Sequence, residues 1–568
     1  MRFRFAFFCS LLWMSSPLVG QTAAVSNKVQ PGSNQQETTP TFHTTSRLVL
    51  VDVVVTSKKG EFVRDLKAPD FTVLEDGKPQ RVTAFSAHAS SELASVAAPI
   101  QLPPHQFTNY NASAPEHPIT IVLLDMLNTQ IVDRAHARQQ MLKFLSSLPA
   151  GQPVALFTLG SKLQMIQGFT QSSDALVAAA KALVDKNESA HLQTTEEEIE
   201  DAEATDAELA AMAGRSPATS GSLSQALEAE QEYQMDIRVR STLAGLQALA
   251  QSVAGYPGRK NLIWLSGSFP IAFGPEAAEQ THLPTYLLYK RDITEVANVL
   301  SSSQIAVYPI DVRGLQNIGL SSSLRRAPNS NQIDRQVNAQ MDTQFTMNDI
   351  ARETGGEAFY NQNDLKALMQ RSLDEGSNYY TLAYVPENHD WNGKYRKIEV
   401  KIASQGTKIR HRRGYYAMAE QSSDERSAAH LLVAAMQPTV PESTRLLMRV
   451  QVLPPTAYQK TVAIDFAISP KDLVFADGSD QRQKTTVDFM AVALDKNLKE
   501  AALQSNTVDA SLSPEAYQTV LKRGFPGHID LELKPGRYIL RLGAIDRNSQ
   551  KIGTLDVPLS IPAETAQK

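Results

Sequence analysis

The stretch ITIVLLDMLNTQ, beginning at Ile119, constrains the fold more than any other part of the 568-residue chain. Ile119, Ile121, Val122, Leu123 and Leu124 form an apolar run without polar alternation. A strand with one wet face alternates. A continuous run needs cover on both faces, as in a parallel sheet flanked by helices. The run ends at Asp125, with Asn128 and Thr129 close behind. Asp125 is therefore either the first oxygen ligand of a cation site or the cap of a buried strand and of the helix after Gln130.

Helical and strand patterns alternate after this run. Val132, Ala135, Leu142 and Leu145 recur at helical spacing, and PVALFTLG reads as a second strand. Ser172 or Ser173 can cap a helix carrying Leu176, Ala180 and Leu183. Met235, Val239, Leu243, Leu246, Leu249 and Val253 step by three or four along a long amphipathic helix. NLIWLSG and QIAVYPID are further strands, and a helix through Met347, Ile350 and Ala351 stops at Gly355-Gly356. This alternation predicts a doubly wound, mainly parallel α/β sheet over 117–420. Ligands of such sheets bind beyond the carboxyl ends of the strands, where Asp125, Thr170, Ser266 and Asp311 are expected.

The flanks read differently. RLVLVDVVVT and the Asp76-Gly77 hairpin predict a small all-β module over 46–90, followed by a Ser-, Ala- and Pro-rich linker over 91–116. Short alternating strands over 428–562 predict a β-sandwich. Residues 188–232 form an acidic insertion, read as a solvated helical excursion. KIRHRRGYY is basic and aromatic, but in a chain of net charge −5 it reads as an edge strand that discourages aggregation, and no nucleic-acid partner is expected.

The first 24 residues have Arg2 and Arg4, an apolar core from Phe5 to Leu12, and small residues after it. That layout predicts a signal peptide over 1–24, a disordered leader over 25–45, and export to the periplasm, cell envelope or beyond. Cys9 is the only cysteine and lies within it, so a processed chain would have no disulfide and no Cys-ligated metal. No later segment is apolar enough for a transmembrane helix.

TIVLLD, the loop DMLNT, GFT and NLIWLSG together resemble a von Willebrand factor type A domain. With VDVVVTSKKGEFVRDLKAPDFTVLEDGKPQRVTAFS, GYPGRKNLIWLSG, IAVYPIDVRGL, ARETGGEAFYNQNDL and RRGYYA, the chain from about 47 to 417 is similar to the VWFA-related domain proteins of acidobacteria. The resemblance implies a type A, Rossmann-like sheet and an adhesion site using D-x-S-x-S, a Thr and an Asp. It assigns metal-ligand positions to Asp125, Thr129 and Thr170, and a ligand face to Asn128, Ser266, Ser268 and Asp311. Leu127 replaces a ligating Ser, and Ser266 stands where the Asp is placed. The site is thus degenerate: no cofactor is certain, and Mg²⁺ or Mn²⁺ would be held weakly.

The function expected is non-catalytic binding of a protein or surface polymer. One alternative is an envelope scaffold acting through its β modules. The other is a cryptic hydrolase using Ser266 with His117 or His136, although the sequence has no H-E-x-x-H, G-x-S-x-G or Walker motif.

Overall fold

The computed structural model describes residues 48–88, 102–109, 118–149, 151–183, 222–271, 273, 285–315, 330–403, 406–418, 425–438, 440–455, 461–478 and 481–562. The expected signal peptide, the leader, most of the linker and residues 188–221 of the acidic insertion lie outside them.

The apolar run forms β1 (Ile119–Asp125), buried at every position. It is the middle of a five-stranded sheet with β2 (Val154–Leu159), β3 (Leu163–Thr170), β4 (Lys260–Ser266) and β5 (Ile305–Asp311), in the order β5-β4-β1-β2-β3. β1 runs parallel to both β2 and β4, and β4 runs parallel to β5. β3 is the exception, an antiparallel edge strand.

Helices explain why β1 has no wet face. The helices are α1 (Ile131–Leu145), α2 (Ser173–Ala182), α3 (Ser222–Val253), α4 (Thr285–Ser302), α5 (Ser330–Thr354) and α6 (Leu365–Gly376). Ile121 and Leu123 join the core that holds Leu243 and Leu246 of α3 and Met347 of α5. Val122 and Leu124 point the other way, into the core with Met141 and Phe144 of α1 and Leu368 of α6. Each such buried aliphatic chain contributes about 1.5–3 kcal/mol. Ser172 caps α2, accepting from Ala175 N at 3.2 Å.

The flanking sheets draw on distant sequence. Strand Val49–Ser57 lies between Tyr379–Tyr384 and Thr407–Arg410, and Phe71–Glu75 lies between Lys78–Gln80 and Tyr395–Ile402. Val51, Val53, Tyr380, Leu382, Ile398 and Val400 share one core. Residues 379–416, read from sequence as the end of the α/β region, thus complete the N-terminal sheets. Beyond 440, the Met448–Leu453 and Val462–Ile468 strands face the Gln483–Leu494 and Gly536–Asp546 strands across a core containing Val450, Phe466, Phe489 and Leu542. Gln106–Thr108, inside the expected linker, pairs with Arg449–Gln451 as an edge strand. Among the described residues no helix is long and apolar enough to cross a membrane.

Gly355 and Gly356 end α5 for two separate reasons. Gly355 has φ +80°, and a Cβ on Gly356 would overlap the Val307 carbonyl of β5. Gly356→Ala must therefore displace backbone, and is expected to cost about 2–3 kcal/mol or more in urea unfolding. Gly355→Ala bears the left-handed backbone penalty of roughly 1–2 kcal/mol, together with a close approach to Arg412 N.

Candidate functional site

β1 and β4 are neighbours whose connections leave the sheet in opposite directions, β1 toward β2 and β4 toward β5. Their carboxyl ends therefore border the crevice at the point where strand order reverses. Asp125 ends β1, and Ser266 ends β4.

The Asp125 carboxylate has no exposed surface. Its Oδ1 accepts from Leu127 N at 3.1 Å and Asn128 N at 2.9 Å. Its Oδ2 accepts from Asn128 Nδ2 at 2.9 Å and Trp264 Nε1 at 3.0 Å. Ser266 Oγ stands 2.9 Å from the same Oδ2 and 2.7 Å from Ser268 O, with one proton to share between them. Burial raises the Asp125 carboxyl above its ordinary range, and the hydrogen bonds from Asn128, Ser266 and Trp264 oppose that rise.

The surrounding loop is stapled in place. Thr129 Oγ1 accepts from Gly267 N at 3.0 Å, and Ser268 Oγ donates to Asn128 O at 3.2 Å. Asn128 Nδ2 also donates to Thr242 Oγ1 on α3 at 2.9 Å. Arg134 folds back from α1, donating to Thr129 O at 2.9 Å and Met126 O at 2.6 Å. Asp125 thus fastens the turn at Leu127 and Asn128, while the N-cap of α1, Gln130, makes no side-chain cap bond.

The sequence assignments divide accordingly. Asp125, Asn128, Thr129, Ser266 and Ser268 form one cluster. Asp311 pairs with Ser266 across β4 and β5, but its carboxylate is held by Arg313, at 2.9 Å from Nε and 2.8 Å from Nη2. Thr170 lies elsewhere. β3 runs antiparallel, so Thr170 stands opposite Val154, whereas Asp125 stands opposite Leu159. Five residues of β2 separate those positions, roughly 17 Å at about 3.3 Å per residue. Thr170 Oγ1 accepts from Ser172 N at 3.1 Å, ahead of α2.

The residues present do not fit a divalent cation. A carboxylate has about four lone-pair sites, and here four N–H groups and a hydroxyl already surround them. Leu127 is buried, and its side chain has no atom that could ligate a metal. Within this cluster, among the described residues, the buried acceptor without a partner is Asn128 Oδ1, a single neutral oxygen. Among the described residues no group of three or more His, Cys, Asp or Glu is placed to hold a metal. A positive charge comes instead from α3, where the half-buried Arg238 guanidinium interacts electrostatically with Asp125.

Sequence reasoning passed over Trp264, Thr242, Arg134 and Arg238. Two carried a signal. Arg134 is a cation in the first turn of a helix, against the dipole, and Thr242 is a polar residue beside the apolar stripe of α3.

No family model and no curated protein matches the chain. Similar solved structures include an aerotolerance-related membrane protein from Bacteroides fragilis NCTC 9343, at 12% identity, covering 45% of this chain and 98% of that one, with TM-score 0.23. Another is proximal thread matrix protein 1 from the mussel byssus with a zinc-occupied MIDAS motif, at 11% identity, covering 46% of this chain and 48% of that one, with TM-score 0.23. The pilus adhesin SpaC from Lactobacillus rhamnosus GG is 10% identical, covering 78% of this chain and 53% of that one, with TM-score 0.24. At these values the likenesses assign no function.

Proposed function

We propose that this chain is an exported, non-catalytic binding protein of the cell envelope or its surroundings. Its type A-like α/β domain engages a protein or surface polymer without a bridging metal. The flanking parts are the small N-terminal β module and the C-terminal β-sandwich. The observation that carries the metal-free reading is the Asp125 carboxylate, whose lone pairs are taken by Leu127, Asn128, Trp264 and Ser266. Contact chemistry for the same face is supplied by Ile131 and Val132, 47% and 78% exposed, directly after the Asp125 loop. Exposed aliphatic side chains beside a rigid loop suit an apolar contact.

Two measurements test this. Melting temperatures in millimolar Mg²⁺ or Mn²⁺ are expected to equal that in EDTA. A cation at 100 times its Kd would add about 2.7 kcal/mol to the native state. Retention of the purified chain on immobilised cell-surface material is expected to survive EDTA and to fall in Ile131→Lys/Val132→Lys. Retention abolished by EDTA and restored by Mg²⁺ would sink the reading.

A scaffold reading rests on the Glu500–Leu512 strand. It is largely exposed and is paired, among the described residues, with Gln483–Leu494 on one side. An edge of that length is a template for strand addition.

A further inference from the structure

A cavity of about 450 Å³ lies beside β3 and the end of α3, toward the end of the sheet opposite Asp125, where the 440–444 segment meets the α/β domain. Its volume falls within the roughly 300–1,000 Å³ of small-molecule pockets. We propose that it binds a small organic cation, an ammonium group on an aromatic or apolar body. Glu442 pairs with the charge, and Phe169 and Tyr256 receive the body.

The wall carries this chemistry in few residues. Phe169 and Tyr256 meet with ring centroids 4.8 Å apart at 58°. Met165, 49% exposed, adds an adaptable apolar side chain. Aromatic faces attract cations as well as apolar groups. Among the described residues Glu442 is the only charged one lining the cavity. Its Oε1 accepts from Asp556 N at 2.7 Å, and its Oε2 accepts no hydrogen bond among the described residues. Arg541, whose charge acts on Glu442, also bonds Asp556 at 2.9 and 3.1 Å and the Ala435 and Val440 carbonyls. Burial raises the Glu442 carboxyl, helped by the Asp556 charge, while the hydrogen bond from Asp556 N and the Arg541 charge oppose the rise. A ligand cation would add to the positive charge of Arg541, which is divided between Glu442 and Asp556, whereas a carboxylate ligand would be repelled.

The cavity is also preformed. Thr444 Oγ1 accepts from Gly255 N at 2.8 Å and donates to Ser252 O at 2.9 Å. A Cβ on Gly255 would stand 2.6 Å from Thr444 O, so the two segments are in direct contact. Asn109 Nδ2 donates to Ser443 O at 2.9 Å and Leu446 O at 3.0 Å. A rigid wall reduces the ordering cost of binding.

The test is calorimetric titration of the full chain with benzylamine, benzyl alcohol and phenylacetate. Benzylamine, protonated at neutral pH, is expected to bind saturably at one site. The alcohol and the acid should bind at least about tenfold more weakly. Glu442→Gln should weaken benzylamine by about tenfold or more, while its amide oxygen still accepts from Asp556 N. Gly168→Leu is the second variant. A Cβ there has only Met165 Sδ within 4 Å, at 3.9 Å, so the first side-chain carbon is accommodated in the cavity wall, and binding should vanish. Equal affinity for amine and alcohol, no saturation by millimolar amine, or binding unchanged in both variants would overturn the proposal. If Glu442→Gln does not fold, retention of binding in Gly168→Leu alone overturns it.

Discussion

Asp125→Ala, unfolded with urea in EDTA, is expected to lose about 3–5 kcal/mol of stability. The substitution leaves Leu127 N, Asn128 N, Asn128 Nδ2 and Trp264 Nε1 without their acceptor in a site closed to solvent. Each buried donor left unpaired costs roughly 1–3 kcal/mol, and partial rewetting of the vacated space limits the sum. Asp125→Asn should cost nearly as much, because its amide group turns two donors toward donors. The Trp264 indole, whose N–H bonds Asp125, gives a local fluorescence readout of the same loss. A carboxylate kept mainly for a metal would behave in the opposite way. Without the cation, its removal would relieve burial of a charge and leave stability level or improved. A loss below about 1 kcal/mol would therefore return Asp125 to the role of a ligand.

The second large effect is predicted at Glu75 and Arg396, each with a side chain only 3% exposed. Glu75 Oε1 accepts from Arg396 Nη1 at 3.2 Å, and its Oε2 accepts from Tyr384 Oη at 2.7 Å and Tyr415 Oη at 2.9 Å. Burial and the Glu75 charge hold both phenols far above their ordinary range, so they stay neutral donors. Arg396 also donates to Asn388 O and Asp390 O, both at 2.7 Å, and stands 5.1 Å over the Trp391 ring. Glu75→Ala leaves a buried guanidinium without its counter-charge, for an expected loss of about 3–5 kcal/mol. Glu75→Leu/Arg396→Leu should cost clearly less than the sum of the two single changes. That non-additivity in a double-mutant cycle is the measurement that isolates the pair. Hydrogen exchange of the Val49–Ser57 amides should accelerate in Glu75→Ala, because Glu75, from the neighbouring sheet, also holds Tyr384, whose strand pairs with Val49–Val53.

Much of the central domain was legible because its signals are local. The apolar run to Asp125 matches β1 residue for residue, since burial on both faces removes the alternation that blurs other strands. The three- and four-residue steps of Met235–Val253 lie within α3. Thr170 was misplaced because a strand's direction is not a local property. Leu163–Thr170 is half-exposed, and nothing in GFT says that the chain has turned back. Residues 379–384, inside the span read as the α/β domain, were misplaced in the same way. Tyr379–Tyr384 is largely buried and reads like a parallel core strand, although its partners are Val49–Val53 and Val82–His88. At the site, the type and position of Asp125 and Ser266 were readable. The saturation of the carboxylate was not, because it depends on an indole and a serine brought in by a different strand.

The pairing of the first sheets with residues 379–416 also fixes a schedule for synthesis. Asp52 waits for Thr381, 329 residues later in the chain. At about 5–20 residues per second, the first strand leaves the ribosome roughly 20–70 s before its partner exists. Through that interval Val49–Ser57 is an apolar, β-branched ribbon with both edges open, the kind of segment that chaperones must shield.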